Sequence, residues 1–366
     1  MNRPFVPAEP APWFHARALD GSPRYAFDTV AGRWVLMLFV GNAGSPEGQE
    51  ALGLLARQRQ LFDDHRACFF GVTVDPSDEA EGRIAQSLPG IRWFLDYDRK
   101  VSTTYGAVSG EGAYAPFWLV LDPMLRVRAQ APLAAGPEII AQLLTVADVP
   151  QSIPAPVLVV PDVLPPDMCR RLIDLYDSKG GDESGFMREV DGVTRTVVDH
   201  SHKRRSDCMI EDEQLIGALK ARLYHVLRPM IRRAFQFEPN RIERWIIARY
   251  HAGEGGYFRP HRDNTTKGTA HRKFAVTINL DTSTYEGGDL CFPEFGMQTY
   301  RAPTGGAVVF SCSLLHEAGP VTKGTRYAFL PFLYDDEGAA LRERNLAYVE
   351  PKLQNYRSGL TEAGSD

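Results

Sequence analysis

Two domains are predicted: an α/β domain over residues 1–150, and an α+β domain over 151–340 built on a double-stranded β-helix (jelly roll) with supporting helices. From about Gly338 one short charged helix is predicted, and residues 341–366 are assigned to a polar tail. Three observations lead to this. At 366 residues the chain is long enough for two ordinary cores. Apolar runs alternate with helical periodicity in the first 150 residues, whereas beyond Ile242 short strands follow one another between Gly and Pro turns. Between the two, Pro150, Pro154 and Pro156 interrupt all periodicity.

In the first domain, 33–40 (RWVLMLFV) is a continuous apolar run of the kind found in strands covered on both faces. Residues 47–62 place Leu52, Leu54, Leu55 and Leu61 on or near one helical stripe. Residues 67–74 (ACFFGVTV) read as a second buried strand, followed by a helix over 78–88. Strands over 91–95, 117–121 and 125–131 and a helix over 137–146 complete the domain, which implies a mixed sheet with helices on its faces.

In the second domain, 157–160 is a strand and Pro165-Pro166-Asp167 opens a helix through Tyr176. Residues 180–201 are polar and rich in turn formers, and a mobile loop beside the site is predicted there. Residues 211–235 carry Leu215, Leu219, Leu223, Leu227 and Ile231 at four-residue steps, the strongest helical pattern in the chain. Short strands are predicted over 244–251, 258–261, 274–280, 289–292, 298–302, 307–312 and 325–334, the pattern of a jelly roll.

Composition excludes several function classes. A net charge of −5 and a pI near 6.0 give no general attraction to nucleic acid or to an anionic membrane. The local basic run His202-Lys203-Arg204-Arg205 reads as a solvated turn that lines a substrate path at most. No run of 18 apolar residues exists to span a membrane, and the N-terminus is broken by prolines and lacks the apolar core of a signal peptide. Five scattered cysteines without a C-x-x-C pair read as free thiols in a reducing compartment, so a cytoplasmic location is expected.

The chemistry concentrates in 249–263, RYHAGEGGYFRPHRD. Side chains on an extended segment repeat every two residues, so His261 and Asp263 point to the same side. Three letters alone are a weak signal. A second histidine, His316, follows on the far side of the strand run, in LLHE. Two neutral imidazoles and one carboxylate on one face of a metal leave positions open, the arrangement expected of non-haem Fe(II) oxygenases.

Residues 155–344 resemble the iron(II)- and 2-oxoglutarate-dependent dioxygenases of the prolyl 4-hydroxylase type. The resemblance rests on RYHAGEGGYFRPHRD, RKFAVTINLDTSTYEGGDLCFPEF, APTGGAVVFSCSLLHEAGPV and TKGTRYAFLPFLY. It implies that His261, Asp263 and His316 are the catalytic ligands of Fe(II), and that Arg326 grips the distal carboxylate of 2-oxoglutarate. A guanidinium fork suits that task, since it meets a carboxylate bidentately and stays charged at any working pH. Tyr250 matches a tyrosine that donates to the same carboxylate, with a buried core tyrosine as the alternative. The implied activity consumes O2 and 2-oxoglutarate, with ascorbate as a reductant, and hydroxylates an unactivated C–H bond with release of succinate and CO2. The implied substrate is a prolyl or other side chain of a peptide or protein, or a small molecule. Gly287-Gly288 is expected to form a tight turn before the next strand. His251 and His271 are expected to be loop or edge residues, and Cys312 core packing.

Residues 7–149 resemble the thioredoxin-fold peroxiredoxins of the alkyl hydroperoxide reductase and thiol-specific antioxidant type, through RWVLMLFVGNAGSPEGQE, FFGVTVDPSDE, DRKVSTTYGAV and APFWLVLDPMLRVR. That family attacks peroxide with a thiolate at a helix N-terminus. The matching position is Ser45, which cannot supply one, so the domain is expected to be non-catalytic. Its role stays open, and a homodimer is one assembly it allows. Two other functions remain: a binding or redox-sensing protein that docks through the thioredoxin-like domain, and a thiol peroxidase using Cys68.

Overall fold

The computed structural model describes residues 5–149 and 152–353. The chain divides into two compact units: Met1–Ile153 with Pro293–Met297, and Pro154–Phe292 with Gln298–Asp366. Among the described residues no helix is long and apolar enough to cross a membrane.

In the first unit the apolar runs become the centre of a five-stranded sheet. Trp34–Gly41, Ala67–Thr73 and Ile91–Leu95 pair in parallel, and Phe117–Leu121 and Val127–Pro132 add antiparallel on the other side. Every residue of Ala67–Thr73 is buried, as a strand covered on both faces requires. The helices Pro46–Arg57 and Gly136–Ala147 set Leu55, Ile139, Ile140 and Leu143 against Leu36, Leu38 and Trp118. This is a thioredoxin-like α/β fold. The helix predicted over 78–88 is shorter, Pro76–Ala80, because Gly82 turns into the left-handed region at φ +63°.

The second unit is an antiparallel jelly roll. Its larger sheet centres on Phe274–Asn279, Val321–Phe329 and Ile246–His251; the smaller contains Lys203–Arg204, Tyr257–His261, His316–Ala318, Leu290–Cys291 and Thr299–Tyr300. Alternation decides what each strand offers to each side. Ile247, Val276, Ile278 and Phe329 pack with Leu172, Leu215, Leu219, Leu227 and Ile231 of the helices. Their neighbours Tyr250, Asn279 and Arg326 have the opposite parity and line the inside of the roll. The predicted helix 211–235 runs as Glu213–Arg222, a π-helical turn Leu223–Leu227, and Arg228–Phe235. Pro229 lacks the N–H that an unbroken α ladder needs there, and the wider turn carries the chain past it.

Residues 180–201 are not the loop predicted. Phe186–Val190 and Val193–Val197 form an antiparallel hairpin closed by Asp191 (φ +51°) and Gly192 (φ +75°). Two successive positive φ values make a type I′ turn, and V-D-G-V is its sequence signature. The short charged helix expected from about Gly338 is Asp336–Arg344, and beyond it Val349 bridges to Thr194 of the hairpin. The remainder of the polar tail, 354–366, lies outside the described residues.

Candidate metal centre and anion pocket

His261 ends the strand Tyr257–His261 and His316 opens His316–Ala318; the two strands pair antiparallel with His261 opposite His316. Asp263 follows on the turn, where its backbone N–H donates to Cys312 O at 3.0 Å. Pairing therefore closes the sequence gap, and the ligand atoms of the three residues lie within 4.8 Å of one another.

The hydrogen bonds behind the imidazoles fix their tautomers. His261 Nδ1 lies 2.8 Å from Arg259 O, and His316 Nδ1 lies 3.0 Å from Leu314 O. A carbonyl only accepts, so each neutral ring carries its hydrogen on Nδ1 and keeps a lone pair on Nε2. Those Nε2 atoms face Asp263, at 3.6 Å from Oδ1 and 3.4 Å from Oδ2. Burial, then the neighbouring His316, pushes the His261 imidazole down to about 4, which keeps it neutral at pH 7. Burial alone would raise the Asp263 carboxyl; His316 and His261 outweigh it and hold it well below the usual range. Two lone pairs and a carboxylate that face one another are stable around a cation, and the donor set of two imidazoles and one carboxylate suits Fe(II).

The larger sheet of the roll presents donors on its inner face. Arg326 is 3% exposed and lies opposite Tyr250 in the strand pairing, its guanidinium 5.1 Å from the Tyr250 ring centroid. It donates to Asn279 Oδ1 at 3.3–3.4 Å, and among the described residues no carboxylate pairs with it. Tyr285 shares this wall, pairing with Gly324 two residues before Arg326, and its buried hydroxyl has no hydrogen-bond partner. Gly288 lets the chain come close: at φ +69°, an added Cβ would stand 2.8 Å from Val321 Cγ2 and 3.1 Å from Arg326 Cδ. Gly287 is also at positive φ, and the two form the expected turn. An unpaired buried guanidinium beside an unsatisfied hydroxyl fits a carboxylate, the group that 2-oxoglutarate would bring.

Several residues differ from expectation. Lys203 and Arg205 are not on a solvated turn: they are 4% and 8% exposed, with Arg204 between them pointing outward, because the segment is extended and alternates. Lys203 Nζ donates to Ser184 Oγ and Gly185 O and sits 4.8 Å over the Phe258 ring, which stacks on His261. His271 is not a loop or edge residue. It is 1% exposed and bonds Glu243 at 2.6 Å, and Arg272 holds the other Glu243 oxygen at 2.6 Å. His251 bonds Thr325, and Cys312 is fully buried. Asn279 and Tyr285 carry no motif of their own, and Arg205 read as part of a solvated turn; strand alternation was the available signal for all three.

In the first unit Ser45 caps the helix Pro46–Arg57, its hydroxyl accepting from Gly48 N–H at 3.0 Å. Cys68 is fully buried, and burial pushes its thiol up to about 12, the opposite of a reactive thiolate.

The family model of the 2OG-Fe(II) oxygenase superfamily matches residues 245–334, and that of the AhpC/TSA family matches residues 7–130. A PKHD-type hydroxylase of Shewanella sp. (strain ANA-3) is 31% identical over 181 residues, 45% of this chain and 76% of that protein. One of Azoarcus sp. (strain BH72) is 27% identical over 207 residues, 52% of this chain and 90% of that protein. One of Paraburkholderia xenovorans (strain LB400) is 35% identical over 91 residues, and this chain spans only 39% of its length. Among solved structures, a Pseudomonas putida prolyl-4-hydroxylase aligns at 18% identity and a TM-score of 0.37, covering 49% of this chain and 91% of that one.

Proposed function

We propose that this chain, which belongs to the 2OG-Fe(II) oxygenase superfamily through its second unit and to the AhpC/TSA family through its first, is a hydroxylase. In this reading His261, Asp263 and His316 hold Fe(II), and Arg326 with Tyr250 holds 2-oxoglutarate. The observation that carries it is one roll whose smaller sheet converges lone pairs as if around a cation and whose larger sheet presents a buried guanidinium that, among the described residues, pairs with no carboxylate.

When bound, iron and 2-oxoglutarate supply the O2-dependent oxidation of an unactivated C–H bond, with release of succinate and CO2. The residues of the chain set the conditions. Arg259 O and Leu314 O hold the two imidazoles in the ligating tautomer. Arg326 offers a fork already desolvated and fixed by Asn279, so a dicarboxylate binds in one orientation. Phe258 stacked on His261, and Phe310 against His316, exclude water from the ligands. The substrate is a prolyl or other side chain of a peptide or protein, a choice that rests on resemblance of the motif segments. The first unit has no catalytic part, ascorbate serves as the reductant, and five free cysteines, all buried, suit the cytoplasm.

The test is to incubate the full chain with Fe(II), 2-oxoglutarate, ascorbate, O2 and pooled proline-containing peptides. Succinate should form together with a peptide heavier by one oxygen atom, and neither should form with His316→Ala. Succinate at the level of that variant across peptide and metabolite pools would instead favour the non-catalytic binding or redox-sensing protein.

A further inference from the structure

Tyr250 is hydrogen-bonded from behind. Arg205 Nη1 donates to the Tyr250 hydroxyl at 3.3 Å, while Arg205 Nη2 donates to Asp207 Oδ2 at 2.7 Å and Ser184 Oγ at 3.1 Å. The Arg205 side chain is 4% exposed. A guanidinium has donors and no acceptor, so the phenol oxygen accepts from Arg205 and its own proton must leave in another direction. On the other side of the ring stands Arg326, also donor-only, and among the described residues the Tyr250 hydroxyl donates to no protein group. The phenol proton is thereby turned away from Arg205.

The mount that holds Arg205 centres on Ser184 and Asp207 Oδ2, while Arg205 Nε and Asp207 Oδ1 are buried without a partner. Ser184 Oγ accepts from Lys203 Nζ and Arg205 and donates to Asp207, which uses its one donor and both acceptor sites. Asp207 is further held by Arg244 at 3.3 Å, and Ser184 N–H bonds Arg205 O. Burial alone would raise the Asp207 carboxyl, but Arg205, Lys203 and Arg244 bring it down to about 2, so this carboxylate stays ionised through the neutral range.

We propose that Arg205 is a positioning residue for the co-substrate: fixed by Asp207 and Ser184, it occupies Tyr250 as an acceptor and so aims the phenol's single proton at the carboxylate gripped by Arg326. This rests on the 2-oxoglutarate reading above. It makes the pocket a three-part device in which Arg326 supplies charge, Tyr250 a directed donor, and Arg205 the direction.

The test is a double-mutant cycle on the full chain, loaded anaerobically with Fe(II), with the dissociation constant of 2-oxoglutarate read from calorimetry and that of Fe(II) read separately. Arg205→Gln and Tyr250→Phe are each expected to weaken 2-oxoglutarate about tenfold, the scale of one hydrogen bond to a charged group. Fe(II) affinity should stay unchanged in both. The double variant should bind no worse than Tyr250→Phe alone, because without the phenol Arg205 has nothing to aim. Two losses that multiply, or wild-type affinity in Arg205→Gln, would overturn the assignment. Should Arg205→Gln fail to melt cooperatively, Ser184→Ala loosens the same guanidinium: a loss of about twofold with Tyr250 present and none with Phe in its place is expected, and an equal loss in both backgrounds would overturn it. Failure of the underlying reading looks different, since wild type itself would then show no saturation by 2-oxoglutarate.

Discussion

The two units each contain a place where their families do chemistry, and the polar groups there are in opposite states. Around the helix that Ser45 caps, the groups satisfy one another. Asn42 bonds Asp75, Asp78 accepts from the Ala43 N–H and from Thr73, and Arg83 pairs with Asp78. In the jelly roll the reverse holds among the described residues: lone pairs on His261 and His316 face a carboxylate, Arg326 pairs with no anion, and the Tyr285 hydroxyl has no hydrogen-bond partner. Burying polar groups unpaired costs stability, so a fold tolerates it where a ligand completes them. In the proposed reading the first site has closed on itself, whereas the second leaves its donors and acceptors to a metal and a co-substrate.

The contrast can be broken most decisively at the metal ligands. Asp263→Ala removes the charge that the two imidazoles face, and Fe(II) binding should fall at least about 100-fold, with activity falling alongside. An anaerobic Fe(II) titration checks it, and retained affinity would show that the cluster is an ordinary buried ion pair. Arg326→Ala should leave Fe(II) bound while 2-oxoglutarate weakens about 100-fold, since a charged pair in a dry pocket is lost. Equal loss of both ligands would mean that Arg326 supports the fold rather than the co-substrate.

Smaller effects sharpen the distinction between groups awaiting a ligand and groups that hold structure. Glu243 is fully used by His271 and Arg272, so Glu243→Gln should cost about 3 kcal/mol in urea unfolding by stranding the buried Arg272. Burial pushes the Glu243 carboxyl up, but Arg272 and His271 outweigh it and hold it well below the ordinary value of 4.5. A carboxyl depressed in the fold stabilises above its unfolded value and loses that contribution as pH falls. Acidification below about pH 4.5 should therefore erode wild-type stability more steeply than that of Glu243→Gln. The smallest effect belongs to the first unit. Ser45→Ala should cost about 1 kcal/mol as a lost helix cap and leave hydroxylation unchanged, which thermal melts and succinate assays would check.

Much of this was legible in the sequence. Long apolar runs such as RWVLMLFV and ACFFGVTV became central strands because burial on both faces leaves no other use for them. H-x-D and a later histidine pointed to a metal because that spacing brings two ligands to one side of an extended segment, although Asp263 lies on the turn just past the strand. Other features were not legible where the reading relied on composition. The 186–197 hairpin was hidden by its polar content, although V-D-G-V carried the turn signal. The His-Lys-Arg-Arg run read as solvated because charge suggests water, while alternation buries its second and fourth members. That Arg205 reaches Tyr250 depends on strand neighbours, Ser206–Met209 beside Ile246–His251, which no local pattern reveals.

The central claim is that the second unit is poised for a metal and a dicarboxylate together. The most direct test is an anaerobic titration of the metal-free chain with Fe(II) and then 2-oxoglutarate, watching for the visible charge-transfer band of the chelate, with His316→Ala as the control. A band that saturates in wild type and is absent from the variant is the expected result. A folded wild-type chain that gives no band would contradict the account.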